Sequence, residues 1–212
     1  MSKISVIGIG PGSRDFLLNI TRRKVDEADV LVGGSRALEL FDDLEKEKFE
    51  ITGELEKVKD YIEKNYQEKK VVVLVSGDPG LYSLLSYLRR KFPPKDLEVI
   101  PGISSMQLAF ARIKSTWHDA EITSLHGKND EKKVLELVKN NEKVGLFTDR
   151  EYSPDCIARL LIEEGVGKRK GAVFTELSYD SESKFTGSLE QISNRKFDTP
   201  NLMVIVDEQV EI

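Results

Sequence analysis

Residues 71–83 read VVVLVSGDPGLYS, and this stretch decides the fold. Its first five residues are apolar and favour β-structure, so they predict a buried strand. The strand stops abruptly at the turn-forming run SGDPG. Open α/β sheets bind their ligands just beyond the carboxyl ends of such strands, so we expect cofactor chemistry at this turn.

The segments on either side of this stretch alternate between strands and helices. Further strands are predicted at residues 4–9, 30–32 and 97–100, and amphipathic helices lie between them. This alternation predicts a mostly parallel sheet covered by helices. The first helix is expected to begin near Ser13 or Asp15, and the charged residues 42–50 are expected to be a connector.

The second half of the chain shows a different pattern. The predicted strands come closer together with less helix between them, which indicates a mixed sheet with an antiparallel portion. The run Ser153-Pro154-Asp155 predicts a helix start, with a capping residue, a proline in the first turn and an early acid. We place a domain boundary near residues 114–119, which gives an N-terminal α/β domain, 1–114, and a C-terminal α/β domain, 119–212.

The composition excludes several classes of function. A single cysteine, Cys156, permits no internal disulfide, and with two histidines it makes a Cys/His zinc site implausible, so no metal site is predicted. The formal net charge of −5 argues against general nucleic-acid binding. No apolar run approaches the roughly 20 residues of a membrane helix. The N-terminus carries no cleavable signal pattern, so a cytoplasmic protein is expected.

The glycine-rich run at residues 8–12 has three interpretations. It begins like the dinucleotide-binding pattern G-x-G-x-x-G, but the third glycine is replaced by Ser13, and Pro11 removes a backbone donor. It is also consistent with a simple turn between a strand and a helix. The third interpretation is a loop that lies against some other ligand.

Three other features also have a structural and a functional interpretation. Asp78 either belongs to the turn alone or accepts hydrogen bonds from ribose hydroxyls or an ammonium group. Ser104 and Ser105 either cap a helix or present hydroxyls to a ligand. His126, at a strand end, is either structural or catalytic.

No single motif identifies a family, but a set of motifs in a fixed order does. The motifs are VIGIGPG at 6–12, VLVSGDPGLYS at 73–83, VIPGISSMQLAFARI at 99–113, SLHG at 124–127, LFTDREYSPDCIARLL at 146–161, FTELSYDSESKFTGSLEQI at 174–192 and PNLMVIV at 200–206. Together they resemble the tetrapyrrole (corrin/porphyrin) methylases over essentially the whole chain. VGGSRALELF at 32–41 and SLHG look most like the members that methylate C5 of cobalt-precorrin-7 in cobalamin biosynthesis.

The resemblance implies a fold, a cofactor and an assembly. The fold is α/β with two domains, a mostly parallel N-terminal sheet, a mixed C-terminal sheet and an active site in the cleft between them. The cofactor is S-adenosylmethionine, which leaves as S-adenosylhomocysteine, and the assembly is a homodimer. The implied cofactor-binding residues are Gly77, Asp78, Leu81, Ser104, Ser105, Thr148, Glu176, Leu177, Asn201 and Leu202. Relatives often have a glycine before the residue that corresponds to Glu176, whereas this chain has Thr175.

The resemblance also implies a tetrapyrrole substrate that carries many carboxylates. Gly10, Pro11 and Gly12 are expected to face this substrate. The candidate cationic clamps are Arg14, Arg36, Arg112 and Lys128, each of which is otherwise a surface charge. His126 is the candidate general base. Some relatives carry a fused methylase that decarboxylates and methylates at C15, and because this chain ends at Ile212, that activity is expected in a separate subunit.

Other functions stay open at this point. Within the family, the chain is compatible with methylation of another tetrapyrrole position or with a target like that of diphthine synthase. Outside it, the run at 8–12 leaves a dinucleotide-binding oxidoreductase as an alternative, and a tetrapyrrole carrier without catalysis is a fourth.

Overall fold

The structure, a computed structural model, describes residues 4–125 and 131–212. The chain forms two compact units that divide between Ser105 and Met106. This division falls inside the helix Ser105–Arg112, whereas the sequence places the boundary just after the same helix. The boundary at residues 114–119 stays a prediction.

The first unit is built on a five-stranded parallel sheet. Its strands are Ile4–Gly8 (β1), Val30–Gly33 (β2), Glu47–Glu50 (β3), Val71–Val75 (β4) and Leu97–Ile100 (β5). Their order is β3-β2-β4-β1-β5, and every neighbouring pair is parallel. The predicted parallel sheet is therefore confirmed, with the 71–75 strand at its centre.

The core of the first unit lies on both faces of this sheet. Val72 and Leu74 of β4 point into one apolar cluster, and Val71, Val73 and Val75 point into the other. Successive side chains of a strand alternate between faces, so a strand covered on both faces must be apolar throughout. Complete burial of a Val or Leu side chain contributes about 1.5–3 kcal/mol.

The helices Asn19–Glu27 (α1), Ser35–Glu39 (α2), Leu55–Asn65 (α3) and Leu85–Lys91 (α4) complete this unit. The sequence placed the first helix too early. Residues Arg14–Phe16 form only a short 3-10 turn, in which Ser13 accepts a hydrogen bond from the Asp15 backbone. The chain is then extended at Leu17, whose side chain is buried in the core, and α1 follows.

The prediction of a connector at residues 42–50 was wrong at its end, because Glu47–Glu50 pairs with β2 as strand β3. This strand lies at the edge of the sheet, and its first and last glutamates are exposed. Charged side chains protect an edge strand from pairing with other chains. The same charges conceal the strand from an analysis based on apolar patterns.

The second unit contains a mixed five-stranded sheet, as predicted. Its strands are Glu121–Ser124 (β6), Lys143–Phe147 (β7), Arg169–Thr175 (β8), Ser183–Ser188 (β9) and Asn201–Asp207 (β10). In the order β6-β7-β10-β8-β9, only β6 and β7 are parallel, and the other neighbouring pairs are antiparallel. Both β7 and β8 therefore end where β10 begins.

Four helices accompany this sheet: Ser105–Arg112 (α5), Glu131–Asn140 (α6), Pro154–Glu163 (α7) and Leu189–Ser193 (α8). Apolar side chains of α6, α7 and α8 form one buried cluster with one face of the sheet. Gly145 of β7 faces the opposite way, toward Met106 of α5. The predicted helix start at Pro154 is confirmed, although Ser153 directs its hydroxyl to Asp155 at 2.6 Å rather than to a backbone donor.

Candidate functional site

Three glycine-containing turns of the first unit lie side by side. They follow β4, β1 and β5, which are adjacent and parallel, so their carboxyl ends share one edge of the sheet. A methyl group built on Gly102 would lie 2.3 Å from the Gly77 oxygen, and one built on Gly8 would lie 2.6 Å from the Gly102 nitrogen. Both distances are shorter than any tolerable contact, so the approach of these backbones requires glycine.

The turns after β1 and β4 are also joined by hydrogen bonds. Gly77 donates its backbone N–H to the Gly10 oxygen at 2.7 Å, and Gly10 donates to the Gly77 oxygen at 3.4 Å. Both glycines have positive φ, at 79° for Gly10 and 67° for Gly77, a region that side chains disfavour. The glycine turns therefore converge at one edge of the sheet, and backbone atoms make the contacts between them.

Asp78 ties the turn after β4 to the turn after β5. One carboxylate oxygen accepts from the Gly80 backbone at 2.7 Å, and the other accepts from the Gly102 backbone at 3.1 Å. Asp78 thus has the turn role that was one of its two sequence-based interpretations, and its bond to the Gly102 backbone is an additional contact that the sequence did not indicate. Each carboxylate oxygen offers about two acceptor positions, so the two backbone bonds leave Asp78 with further capacity.

The remaining cofactor-binding residues predicted in the first unit lie nearby in the fold. A methyl group on Gly77 would lie 3.5 Å from the Ser104 Cα and 3.8 Å from the Ser105 nitrogen. Ser104 is buried. Leu81 is half-buried and donates its backbone N–H to the Asp78 backbone oxygen at 3.1 Å. The fold brings these five residues together at one edge of the sheet.

The predicted substrate-binding residues are more dispersed. Gly10 belongs to the bridge with Gly77, and Pro11 and Gly12 follow it. Arg14 and Arg36 are exposed, and Arg14 forms an ion pair with Asp43 at 2.7 Å. Its guanidinium holds the pKa of the Asp43 carboxyl below its ordinary value.

The loop after β1 does not have the structure that a dinucleotide-binding loop requires. Such a loop opens directly onto an α-helix, whose N-terminus receives the pyrophosphate. Here the residues after Gly12 form the short turn Arg14–Phe16, and α1 begins only at Asn19. The geometry therefore does not support the oxidoreductase alternative.

The cofactor-binding residues predicted in the second unit also come together. Thr148 follows β7, Glu176 follows β8, and Asn201 begins β10 between those strands. The Thr148 hydroxyl donates to the Asn201 backbone oxygen at 2.7 Å and also contacts the Asn201 side-chain oxygen. Glu176 donates its backbone N–H to the Pro200 oxygen at 3.0 Å. One end of the second sheet thus carries all three residues.

The two leucines predicted beside them are core residues. Leu177 is 6% exposed and Leu202 is 4% exposed, so their side chains are already packed. Any ligand contact there would involve mainly backbone. His126 and Lys128, the candidate base and one candidate clamp, lie outside the residues that the structure describes.

Arg112, another predicted substrate clamp, forms a bidentate ion pair with Glu182. Its Nε and Nη2 donate to the two carboxylate oxygens at 2.6 Å and 3.1 Å. The hydrogen bond from Arg112 lowers the pKa of the Glu182 carboxyl, and it outweighs the opposing effect of burial. Sequence analysis missed Glu182, because nothing in the acidic loop YDSES distinguishes this residue from its neighbours.

Among the described residues of the second unit, Asp155 at the start of α7 is the most buried charged side chain, and it forms a separate cluster. Asp155 is 1% exposed and accepts hydrogen bonds from Ser153, Arg159 and Lys196. Burial alone raises the pKa of Asp155, but the bonds from Lys196, Ser153 and Arg159 outweigh it and hold the pKa far below its ordinary value. The Asp155 carboxylate is thus hydrogen-bonded by three side chains of the protein, which indicates a structural role for this cluster.

The described part of the chain offers neither a metal site nor a membrane-spanning helix. Among residues 4–125 and 131–212, no three His, Cys, Asp or Glu side chains are placed to hold a metal ion together. Over the same residues, no helix has both the length and the apolar character needed to cross a membrane.

Comparison with known proteins assigns the family. Residues 3–193 match the family model of the Tetrapyrrole (Corrin/Porphyrin) Methylases. A probable cobalt-precorrin-7 C(5)-methyltransferase of Methanocaldococcus jannaschii is 40% identical over 199 residues, which cover 92% of this chain and 93% of the relative. The cobalt-precorrin-7 C(5)-methyltransferase of Salmonella typhimurium is 30% identical over 206 residues, with 97% of this chain and 100% of the relative covered.

Solved structures agree at the level of the fold. Uroporphyrin-III C-methyl transferase from Thermus thermophilus, in complex with S-adenyl homocysteine, superposes with a TM-score of 0.79 at 18% identity. The superposition covers 97% of this chain and 98% of the other. The chain therefore belongs to the tetrapyrrole methylases and is a methyltransferase.

Proposed function

Starting from membership of this family, we propose that the protein transfers a methyl group from S-adenosylmethionine to C5 of cobalt-precorrin-7 in cobalamin biosynthesis. The main support for this proposal is the 40% identity, over 92% of this chain, to a probable cobalt-precorrin-7 C(5)-methyltransferase. The second named C5-methyltransferase, 30% identical over 97% of the chain, supports the same substrate.

The turns of the first unit fit S-adenosylmethionine in their chemistry. This cofactor presents an ammonium group, ribose hydroxyls and a carboxylate, so it needs both acceptors and backbone donors. Asp78 retains acceptor capacity beyond its two backbone bonds, and Ser104 and Ser105 add hydroxyls. Gly77 adopts φ 67°, which glycine tolerates without strain, and its backbone lies close to those of Ser104 and Ser105. We therefore assign Gly77, Asp78, Leu81, Ser104 and Ser105 to the cofactor.

The contribution of the protein to the reaction is mainly positioning. When bound, S-adenosylmethionine supplies an electrophilic methyl group on a sulfonium, which is already a good leaving group. Gly77 and Asp78 hold one reactant, and Gly10, Pro11 and Gly12 face the macrocycle from the adjacent turn. Because the Gly10–Gly77 bridge fixes these turns to each other, the approach of the reactants is restricted. Such restriction can supply about 7–11 kcal/mol of the barrier.

Recognition of the substrate needs cations, since a corrin precursor carries several carboxylates. Arg14, Arg36 and Lys128 are the proposed clamps, and the exposure of Arg14 and Arg36 leaves both guanidinium groups accessible. The ion pair of Arg14 with Asp43 is itself solvent-exposed, so a substrate carboxylate can replace Asp43 at little cost. His126 stays the proposed general base.

The test is calorimetric titration with S-adenosylhomocysteine. Wild-type protein is expected to bind, and Asp78→Ala is expected to weaken binding by about tenfold or more, equivalent to about 1.4 kcal/mol. Asp29→Ala is the matched control, because Asp29 also accepts from a backbone N–H, that of Lys70 at 2.8 Å, but lies at the opposite end of the same sheet. Wild-type protein that fails to bind at micromolar concentration contradicts the proposed function.

A different result identifies Asp78 as a turn residue only. Loss of the Asp78 carboxylate leaves two backbone donors without their acceptor, so Asp78→Ala also lowers stability, by about 1–3 kcal/mol. If the folded fraction of that variant binds S-adenosylhomocysteine with wild-type affinity, the assignment of Asp78 to the cofactor is wrong.

Three further proposals rest on the sequence and on the resemblance to the family rather than on the geometry. They are a homodimeric assembly, a cytoplasmic location and a separate subunit that methylates and decarboxylates at C15. Sedimentation of the purified protein tests the first. Incubation of the purified protein with substrate, followed by mass measurement of the product, tests whether one methyl group is added without loss of carbon dioxide.

A further inference from the structure

The loop between β8 and β9 has an unusual backbone for its sequence. Glu176 and Ser178 have φ values of 49° and 79°, in the left-handed region that residues with side chains disfavour. A conformation of this kind persists only where surrounding interactions determine it. Something in the second unit must therefore hold residues 176–182 in shape.

One carboxylate supplies much of that constraint. Glu182 accepts the backbone N–H of Ser178 at 2.8 Å, immediately beside the left-handed turn. Its other contacts are the two hydrogen bonds from Arg112, the last residue of α5. Glu182 thus closes the loop on itself and fastens it to a helix.

The ion pair of Arg112 and Glu182 orients the Glu182 carboxylate more than it stabilises the folded protein. A guanidinium that donates two parallel hydrogen bonds to a carboxylate fixes the plane and the direction of that carboxylate. The Arg112 side chain is 42% exposed and that of Glu182 is 21% exposed, and pairs this close to solvent contribute little to folding. The main effect of the pair is therefore on the conformation of the loop that it holds.

That loop begins with Glu176 and Leu177, the residues assigned to the cofactor by resemblance. The Glu176 backbone N–H donates to the Pro200 backbone oxygen, just before β10. The Glu176 backbone oxygen accepts from the Tyr179 backbone N–H at 3.1 Å. The Glu182 backbone in turn donates to the Tyr179 oxygen at 2.9 Å. A continuous set of short contacts thus connects the Glu182 carboxylate to the Glu176 backbone.

We propose that Arg112 and Glu182 are positioning residues that hold the 176–177 backbone in the conformation that receives S-adenosylmethionine. This inference rests on the proposed function. It gives Arg112 a role different from that of a clamp on the tetrapyrrole carboxylates. Arg112 and Glu182 then act together on the affinity for the cofactor rather than on the affinity for the tetrapyrrole.

The experiment compares S-adenosylhomocysteine affinity and amide exchange between the wild type and variants of the pair. Glu182→Gln keeps the size of the side chain but removes the charge, and it is expected to weaken binding about 3- to 30-fold. The Ser178 amide is expected to exchange faster in the same variant, without ligand. Arg112→Lys keeps the positive charge but loses the two parallel donors, and it is expected to weaken binding less than Glu182→Gln.

A matched control lies at the other end of the same strand. Arg169, the first residue of β8, pairs with Asp207 at 3.7 Å, whereas the loop leaves the last residue of β8. Asp207→Asn therefore removes an ion pair that is longer and not hydrogen-bonded, at the far end of the strand, and it is expected to leave the affinity unchanged. The double exchange Arg112→Glu with Glu182→Arg is expected to recover part of the binding lost in either single exchange.

Each outcome decides between the alternatives. Unchanged affinity and unchanged Ser178 exchange in Glu182→Gln overturn the inference, as does an equal loss in Asp207→Asn. A raised KM for the tetrapyrrole in Arg112→Lys with unaltered S-adenosylhomocysteine affinity restores the clamp role and also overturns it. Wild-type protein that does not bind S-adenosylhomocysteine overturns the proposed function and this inference with it.

Discussion

The two units use different kinds of contact at the sheet ends that carry the proposed cofactor residues. In the first unit, Gly8, Gly77 and Gly102 bring three backbones into direct contact, and a side chain at Gly102 would meet the Gly77 oxygen. In the second unit, side chains such as those of Thr148 and Glu182 make the connections at the corresponding end of the sheet. The first arrangement is rigid because its backbones leave no space for an added side chain. The second is held by side-chain hydrogen bonds, which can rearrange.

This difference predicts how each unit responds to substitution. Contacts between backbones leave nothing that can move aside, so a single added methyl group displaces a strand end. Contacts between side chains allow rotation to another rotamer, so the same addition is absorbed locally. Three substitutions test this comparison, in order of decreasing effect.

The largest effect is expected from Gly102→Ala. The added methyl group would lie 2.3 Å from the Gly77 oxygen and 2.8 Å from the Gly8 carbonyl carbon, both backbone atoms. We expect a loss of about 3 kcal/mol or more in the free energy of unfolding, measured by urea denaturation. The control is Gly34→Ala, since nothing lies within 4 Å of its added methyl group, and a change within about 1 kcal/mol is expected. Equal unfolding midpoints for the two variants would contradict the rigid character of the first unit.

An intermediate effect is expected from Asp155→Asn in the second unit. The substitution removes a buried charge from Ser153, Arg159 and Lys196, and the two cations already reach solvent, with side chains 44% exposed for Arg159 and 85% exposed for Lys196. We expect a loss of about 1–3 kcal/mol at pH 7. The exposed Asp198→Asn serves as a control and is expected to change stability by less than about 0.5 kcal/mol.

The same residue predicts a dependence on pH with a definite sign. The pKa of Asp155 in the folded protein lies below its ordinary value of 3.8, so its stabilising contribution is present above that value. The contribution declines as the pH falls below about 4 toward the folded pKa. The stability difference between wild type and Asp155→Asn should therefore narrow on acidification. A difference that stays constant from pH 7 to pH 3 would show that the charge of Asp155 is not its important property.

The smallest effect is expected from Gly145→Ala. Its methyl group would lie 2.5 Å from the Met106 sulfur and 2.9 Å from the Met106 terminal methyl group, atoms at the far end of a flexible side chain. Methionine adapts readily, so we expect a loss of about 1 kcal/mol or less in urea denaturation. A loss as large as that of Gly102→Ala would show that the second unit is as intolerant as the first.

Much of the first unit could be predicted from local sequence. The apolar run 71–75 and its turn describe a buried strand by themselves, and parallel pairing then brings neighbouring turns to the same edge. Strand β3 escaped prediction because an edge strand needs charges rather than apolar residues. The late start of α1 also escaped, since the burial of Leu17 in an extended segment depends on the rest of the core.

The second unit was predictable in its outline but less so in its connections. The spacing of its strands indicates a mixed sheet, and family resemblance points to Thr148, Glu176 and Asn201. The pair of Arg112 and Glu182 could not be read from the sequence, because the two residues lie 70 positions apart and each resembles an ordinary surface charge. Only the folded chain shows which of many exposed charges are matched.

The bridge between Gly10 and Gly77 has a consequence for protein engineering. Each of the two loops donates one hydrogen bond to the other, so neither has an independent position. Transplanting the Gly10–Gly12 loop from a relative with another substrate would impose a foreign partner on the Gly77 turn. We expect chimeras that exchange both loops together to remain functional more often than chimeras that exchange one. Diversification of substrate choice among such enzymes would then proceed through paired changes, with the two loops inherited as one module.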